Sequence, residues 1–142
     1  MSDMLKLKKE DYDKILKHCV EGLPNEACGL LGGSIEEDGT KIIKKVYVLT
    51  NIDESNEHFS MDPKEQLAAV KDMRANDCVM IGNFHSHPES PSRPSEEDKR
   101  LAYDSNMEYL ILSLMEIENP VLKAFGIDPE KNVTIHEIDI TE

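Results

Sequence analysis

The sequence predicts an α/β fold of the α+β type, a mixed β-sheet with helices packed on its faces. Three observations carry that expectation. The 142 residues fit a single domain, residues 1–142, built on one hydrophobic core. Segments of helical and strand period follow one another in the order helix, strands, helix, strand, helix, strands. The stretch Cys78-Val79-Met80-Ile81-Gly82-Asn83-Phe84 is a largely apolar run of strand length, the pattern of a strand lying centrally in a sheet. No linker, low-complexity tract or internal repeat divides the chain.

Taken in order, Tyr12, Ile15, Leu16, Cys19 and Val20 recur at i, i+3, i+4, i+7 and i+8, which predicts an amphipathic helix over residues 9–22, stopped by Gly22 and Pro24. Residues 27–31 and 42–49 read as strands, separated by the turn-forming Glu36-Glu37-Asp38-Gly39. A second helix starts with Asp62 as N-cap, Pro63 in the first helical position and Glu65 closing a capping box, with Leu67, Val70 and Met73 as its apolar stripe. After the central strand and the Pro-rich segment Pro88–Pro94, Ser95-Glu96-Glu97-Asp98 opens a third, short helix with Leu101 and Ala102 on one side. Three late strands are expected over residues 108–115, 121–127 and 133–140.

Charge narrows the partners. There are 16 basic and 29 acidic side chains, a net charge of −13. Residues 1–50 hold 8 basic and 9 acidic groups, whereas residues 51–142 hold 8 and 20. Binding of nucleic acid by phosphate neutralisation needs a basic stripe, and an anionic membrane surface has the same requirement, so neither partner is expected. No apolar run approaches the roughly 20 residues that span a bilayer. The N-terminal stretch Met1 to Lys8 lacks the apolar region and cleavage site of a signal peptide. Three cysteines, Cys19, Cys28 and Cys78, do not make a disulfide framework, and a reduced, cytoplasmic protein is expected.

The chemistry concentrates in His85-Ser86-His87-Pro88, followed after a short loop by Pro94-Ser95-Glu96-Glu97-Asp98. Histidines at i and i+2 on a strand project to one face. Pro88 stops the strand directly afterwards, so both rings sit at its C-terminal mouth, where open α/β sheets bind ligands. Asp98, in the first turn of the next helix, can supply a third ligand. Two imidazoles and one carboxylate leave a tetrahedral zinc with one position for water, the arrangement of a catalytic site. With 5 His and 7 Pro in the chain, a chance H-x-H-P arises in roughly one shuffled sequence in a hundred. Ser95 and Asp98 also read as an ordinary helix N-terminus, and that role is compatible with ligation because the cap fixes the turn that aims the carboxylate.

The pattern Glu26 … His85-Ser86-His87-Pro88 … Pro94-Ser95-Glu96-Glu97-Asp98 resembles the JAMM motif of MPN-domain zinc metallopeptidases. Glu26-Ala27-Cys28-Gly29-Leu30-Leu31-Gly32-Gly33 is similar to that family's first motif strand, and Phe59-Ser60-Met61-Asp62-Pro63 to its segment before the second helix. The likeness runs from about residue 5 to at least residue 113, and the compact length looks like the prokaryotic branch. The resemblance implies a mixed sheet flanked by helices, similar to the cytidine deaminases. It also implies Zn2+ as cofactor and a deubiquitinase-like hydrolysis of a peptide or isopeptide bond after the C-terminal Gly-Gly of a ubiquitin-like or sulfur-carrier protein. Carried over residue by residue, it makes His85, His87 and Asp98 the metal ligands, Glu26 the general base acting on a zinc-activated water, and Ser95 the oxyanion stabiliser. The alternative within the family is a non-catalytic MPN scaffold that binds a partner protein, which predicts a degraded motif; this motif is whole. A zinc deaminase would need a Pro-Cys-x-x-Cys ligand pair, which the chain lacks.

The remaining candidates read as structural. Cys28, two residues beyond Glu26, shares its strand face and can point toward the metal, but a free cysteine is more often a small buried hydrophobe. Cys19 and Cys78 are core candidates, and Ser86 alternates away from the histidine rings toward a local hydrogen bond. His18, His58 and His136 lack partners at ligand spacing and are expected at the surface or satisfied. Gly32-Gly33 reads as a turn or strand end.

Overall fold

The computed structural model describes residues 4–142, so the first three residues of the N-terminal stretch lie outside it. The elements are β1 (Met4–Lys8), α1 (Lys9–Gly22), β2 (Cys28–Ile35), β3 (Lys41–Leu49), α2 (Pro63–Ala75), β4 (Val79–His87), α3 (Glu96–Arg100), β5 (Glu108–Ser113), β6 (Val121–Ile127) and β7 (Val133–Thr141). The sheet is mixed, as expected, and it closes on itself in the order β1-β3-β2-β4-β5-β6-β7. Pairing is parallel for β1 with β3, β1 with β7 and β4 with β5, and antiparallel elsewhere. Among the described residues no helix is long and apolar enough to cross a membrane.

Closure depends on β1, a strand the helix-and-strand reading of the sequence leaves out. Leu5 and Leu7 alternate with lysines, are fully buried, and pair in register with Ile138 and Ile140 of β7. The main core gathers Leu5, Leu7, Ile15, Cys19, Leu31, Ile81, Phe84, Leu110 and Leu112 beneath α1. Full burial of side chains of this size contributes roughly 1.5–3 kcal/mol each. β3 meets β1 only at Lys41 and Ile42, and beyond that α1 takes over. Lys14 Nζ donates to the Val46 carbonyl at 2.8 Å, and His18 Nε2 meets the Cys28 and Leu49 carbonyls at 3.1 and 3.0 Å. His18 is therefore a satisfied histidine that seals strand ends.

α2 covers a second cluster made of Cys28, Leu30, Leu49, Ala69, Met73 and Cys78. Its N-cap is Asp62, whose carboxylate accepts the Lys64 amide at 2.9 Å, with Pro63 following. The expected reciprocal half of the capping box does not form. The Asp62 amide is directed at the Thr50 carbonyl (3.4 Å), while Glu65 accepts the Thr50 amide and hydroxyl at 2.6 and 2.9 Å. A carboxylate offered two donors at the end of β3 bonds them both. Leu67 is exposed rather than part of the buried stripe, because it lies two residues, about 200° of helix rotation, from Ala69. Leu101 is likewise exposed, while its neighbour Ala102 is buried.

The turn at residues 36–39 is present, with Gly39 at φ 92°. Gly32-Gly33, expected at a turn or strand end, sits inside β2 where the register shifts against both β3 and β4. The absent side chains allow the local bulge to pack. Gly29 permits a closer approach still, since a Cβ there would fall 2.1 Å from the Phe84 ring and 2.2 Å from the Tyr47 carbonyl.

Candidate metal centre and catalytic site

β4 delivers the two histidines. Phe84 and Ser86 are fully buried on one face, and His85 and His87 alternate onto the other. The strand is held rigidly by β5, from Gly82 opposite Glu108 to His87 opposite Ser113. The Pro-rich loop after it folds back onto β5: Ser92 Oγ donates to the Ile111 carbonyl at 2.7 Å, and Ser113 Oγ to the Ser90 carbonyl at 2.6 Å. That path brings the Pro91 carbonyl within 3.0 Å of His87 Nδ1. For a metal-ligating histidine, a proton on Nδ1 bonded there would leave the Nε2 lone pair for the ion.

Asp98 arrives from α3. Ser95 is its N-cap: Ser95 Oγ accepts the Asp98 amide at 3.0 Å, and the Ser95 amide donates to Asp98 Oδ2 at 2.9 Å. This reciprocal box aims Oδ2 at the histidines, 3.2 Å from His85 Nε2 and 3.1 Å from His87 Nε2. The two Nε2 atoms are 3.1 Å apart. Metal–ligand bonds of about 2.0–2.1 Å in tetrahedral geometry separate ligand atoms by about 3.3 Å, so this triangle fits a zinc ion with little adjustment. The donor set is nitrogen and oxygen only. His85, His87 and Asp98 form the group of three such side chains found within ligating distance among the described residues.

Electrostatics separate the carboxyls. Burial pushes Asp98 up, but hydrogen bonds from His85 and His87 outweigh it and hold the group well below the usual carboxylate range. Burial works against His87 too, and its bonds to Asp98 and Pro91 raise its pKa nonetheless. Glu26, only 7% exposed, behaves oppositely. Burial, reinforced by the charges of Asp98, Glu97 and Glu57 and opposed by His87, pushes it up to about 8. The two carboxyls are thus pushed in opposite directions, Asp98 toward its ionised form and Glu26 toward its protonated one.

Glu26, His85 and Asp98 line one narrow cleft of about 60 Å³, walled by Phe59, Leu101, Tyr109, Ile111 and Ile127. Phe59 stacks on the His85 ring, with centroids 4.6 Å apart and planes 26° from parallel. His58 and Glu97, paired at 2.6 Å, join the same loop to α3. Ser95 is exposed beside the cleft and does not line it. Cys28 lies directly opposite His85 in the β2–β4 register, but it packs fully buried in the second cluster, and burial pushes its thiol up to about 12. Ser86 Oγ accepts the Ala27 amide at 2.8 Å, tying β4 to the residue after Glu26. His136 binds the buried carboxylate of Glu108 at 2.7 Å, away from this site. Phe59 contributes ring stacking and Asn51 hydrogen bonds to main chain, roles that residue type alone does not announce.

The fold is a closed mixed sheet with the His85, His87 and Asp98 group at the C-terminal end of β4 and the start of α3. The chain belongs to the family described as prokaryotic homologs of the JAB domain, whose model matches residues 8–127. A CysO-cysteine peptidase from Mycobacterium tuberculosis is 25% identical over 139 residues, covering 98% of this chain and 92% of that protein. A desampylase from Haloferax volcanii is 30% identical over 117 residues, 79% of this chain and 82% of its own. A protein of Desulfitobacterium hafniense solved in solution superposes with a TM-score of 0.89 at 54% identity, covering 98% of this chain and 94% of that one. The crystal structure of a JAB1/MPN domain protein from Archaeoglobus fulgidus shares the fold, with a TM-score of 0.61 at 21% identity over 96% and 99% of the two chains.

Proposed function

We propose that this protein is a zinc metallopeptidase that hydrolyses a peptide or isopeptide bond after the C-terminal Gly-Gly of a ubiquitin-like or sulfur-carrier protein. One observation carries the reading: His85 Nε2, His87 Nε2 and Asp98 Oδ2 converge to within 3.2 Å of one another, with Glu26 lining the same cleft. The substrate class is supported by the peptidase and desampylase named among the relatives.

His85, His87 and Asp98 are assigned to hold the metal. When bound there, zinc supplies a Lewis acid that brings water ionisation close to neutral pH and polarises a carbonyl. Glu26 takes a proton from the attacking water onto a carboxylate oxygen and returns it to the leaving amine nitrogen. Its position near Asp98 and away from solvent suits a group that must both accept and release that proton. Ser95, exposed beside the cleft, is assigned as the oxyanion donor on the family resemblance; its Oγ accepts the Asp98 amide and keeps its own proton to donate. A thin, extended tail suits the narrow cleft, whose walls are mostly apolar.

The test combines metal analysis with cleavage of a panel of Gly-Gly-tailed carrier fusions by wild type, Glu26→Gln and Asp98→Ala. Glu26→Gln is expected to retain zinc and to lose about 10²–10⁴-fold in turnover. Asp98→Ala is expected to lose about 100-fold or more in zinc affinity. An active Glu26→Gln enzyme removes the general-base role. A wild-type protein that binds no zinc and cleaves no fusion leaves the non-catalytic scaffold in its place.

A further inference from the structure

Glu26 precedes the first paired residue of β2, Cys28, so its main chain has no place in the strand ladder. Other groups hold it. The Glu26 amide donates to the Ser55 carbonyl at 2.8 Å, and the Glu26 carbonyl accepts from Asn51 Nδ2 at 2.9 Å. Asn51 does more than this. Its Nδ2 also donates to the His58 carbonyl at 2.9 Å, and its Oδ1 accepts the amides of Asp53 and Ser60 at 3.0 and 3.1 Å. A side-chain amide has two N–H donors and one oxygen with two lone pairs, and every one of them is engaged here.

These four bonds join two parts of the site that are far apart in sequence. Ser60 and His58 flank Phe59, the ring stacked on His85. The loop is closed at its ends by the Asn51–Met61 bridge and by the Ile52 amide on the Ser60 carbonyl at 2.9 Å. One amide thus links the main chain at Glu26 to the loop that carries Phe59. Asn51 itself is not among the residues lining the cleft. We infer that Asn51 is a positioning residue, which fixes the Glu26 carboxylate relative to His85 by clamping the Glu26 carbonyl to the 51–60 loop. The inference rests on the peptidase reading for its kinetic consequence, and on the hydrogen bonds alone for its structural one.

Two variants separate positioning from loop maintenance. Asn51→Ala deletes all four bonds. Asn51→Asp keeps an oxygen for the Asp53 and Ser60 amides and replaces the donors to Glu26 and His58 with a charged acceptor that repels both carbonyls. Displacements of about 1 Å at a reacting group cost on the order of 100-fold. Both variants are therefore expected to retain zinc and to lower kcat on a Gly-Gly-tailed carrier fusion by about 10–100-fold, with KM unchanged. Combining either with Glu26→Gln is expected to add little to the loss already caused by Glu26→Gln. Hydrogen exchange at the Glu26 amide is expected to accelerate in both, with the amides of Leu110–Leu112 in β5 unchanged. An Asn51→Asp enzyme with wild-type kcat would overturn the inference, as would unchanged protection of the Glu26 amide. If the wild-type protein cleaves none of the fusions, the peptidase reading fails, and the exchange measurement still decides whether Asn51 holds Glu26.

Discussion

Replacing Glu26 by Gln should stabilise the metal-stripped fold, and the gain should grow with pH. Burial raises the Glu26 carboxyl from 4.5 to about 8. Below pH 4.5 the folded and unfolded chains both carry the proton. Between pH 4.5 and about 8 the folded chain keeps a proton that the unfolded chain has released, so the stability contributed by the protonated group is lost as pH rises through this window. At 1.36 kcal/mol for each unit, the loss reaches about 3 kcal/mol by pH 7. Gln fills the same space with a group that never ionises, so it carries no such slope. Urea unfolding of chelator-treated wild type and Glu26→Gln, from pH 4.5 to 8, reads the difference directly. The two stabilities should be similar at the acid end and diverge in favour of Gln toward neutrality. Adding zinc should narrow the gap, because a cation beside the carboxyl favours its ionised form. Stability curves that stay parallel across this range would show that Glu26 is not held in the buried environment described, and would remove the basis for its acid–base role.

Two other perturbations test the frame around the site. Gly29→Ala forces a Cβ against the Phe84 ring and the Tyr47 carbonyl; it should cost about 1–3 kcal/mol or more in urea unfolding and weaken zinc binding by disturbing β4 next to His85. Ser86→Ala leaves the buried Ala27 amide without its acceptor, with an expected loss of about 1–3 kcal/mol by the same measurement. A Ser86→Ala protein as stable as wild type would show that the bond across to Ala27 is not needed.

Much of this architecture is written in local pattern. The apolar spacing of Tyr12, Ile15, Leu16 and Cys19 predicts α1 to the residue, and Val121–Ile127 matches β6. Closure of the barrel is not local. β1 has five residues, and its partner β7 lies at the other end of the chain, so the short Leu5/Leu7 alternation acquires meaning only when the two ends meet. Glu65 shows the same limit at smaller scale, since its choice of Thr50 over its own helix depends on where β3 ends. Within the site, His85, His87 and Asp98 are legible because one strand end and the following helix N-terminus place them, and alternation and capping are rules of short range. Glu26 lies just ahead of another strand, β2, and only the family resemblance singles it out. Asn51 acts on backbone carbonyls and amides, which nearly every residue type supplies, so no pattern of residue types announces it.

X-ray absorption at the zinc edge, on protein loaded with one equivalent of zinc, addresses the metal centre most directly. The geometry predicts a four-coordinate shell of nitrogen and oxygen at about 2.0–2.1 Å with two imidazole signatures and no sulfur, and loss of that shell in Asp98→Ala. A sulfur scatterer at about 2.3 Å would place Cys28 in the site, and an unchanged shell in Asp98→Ala would remove the carboxylate ligand; either result would contradict the centre described.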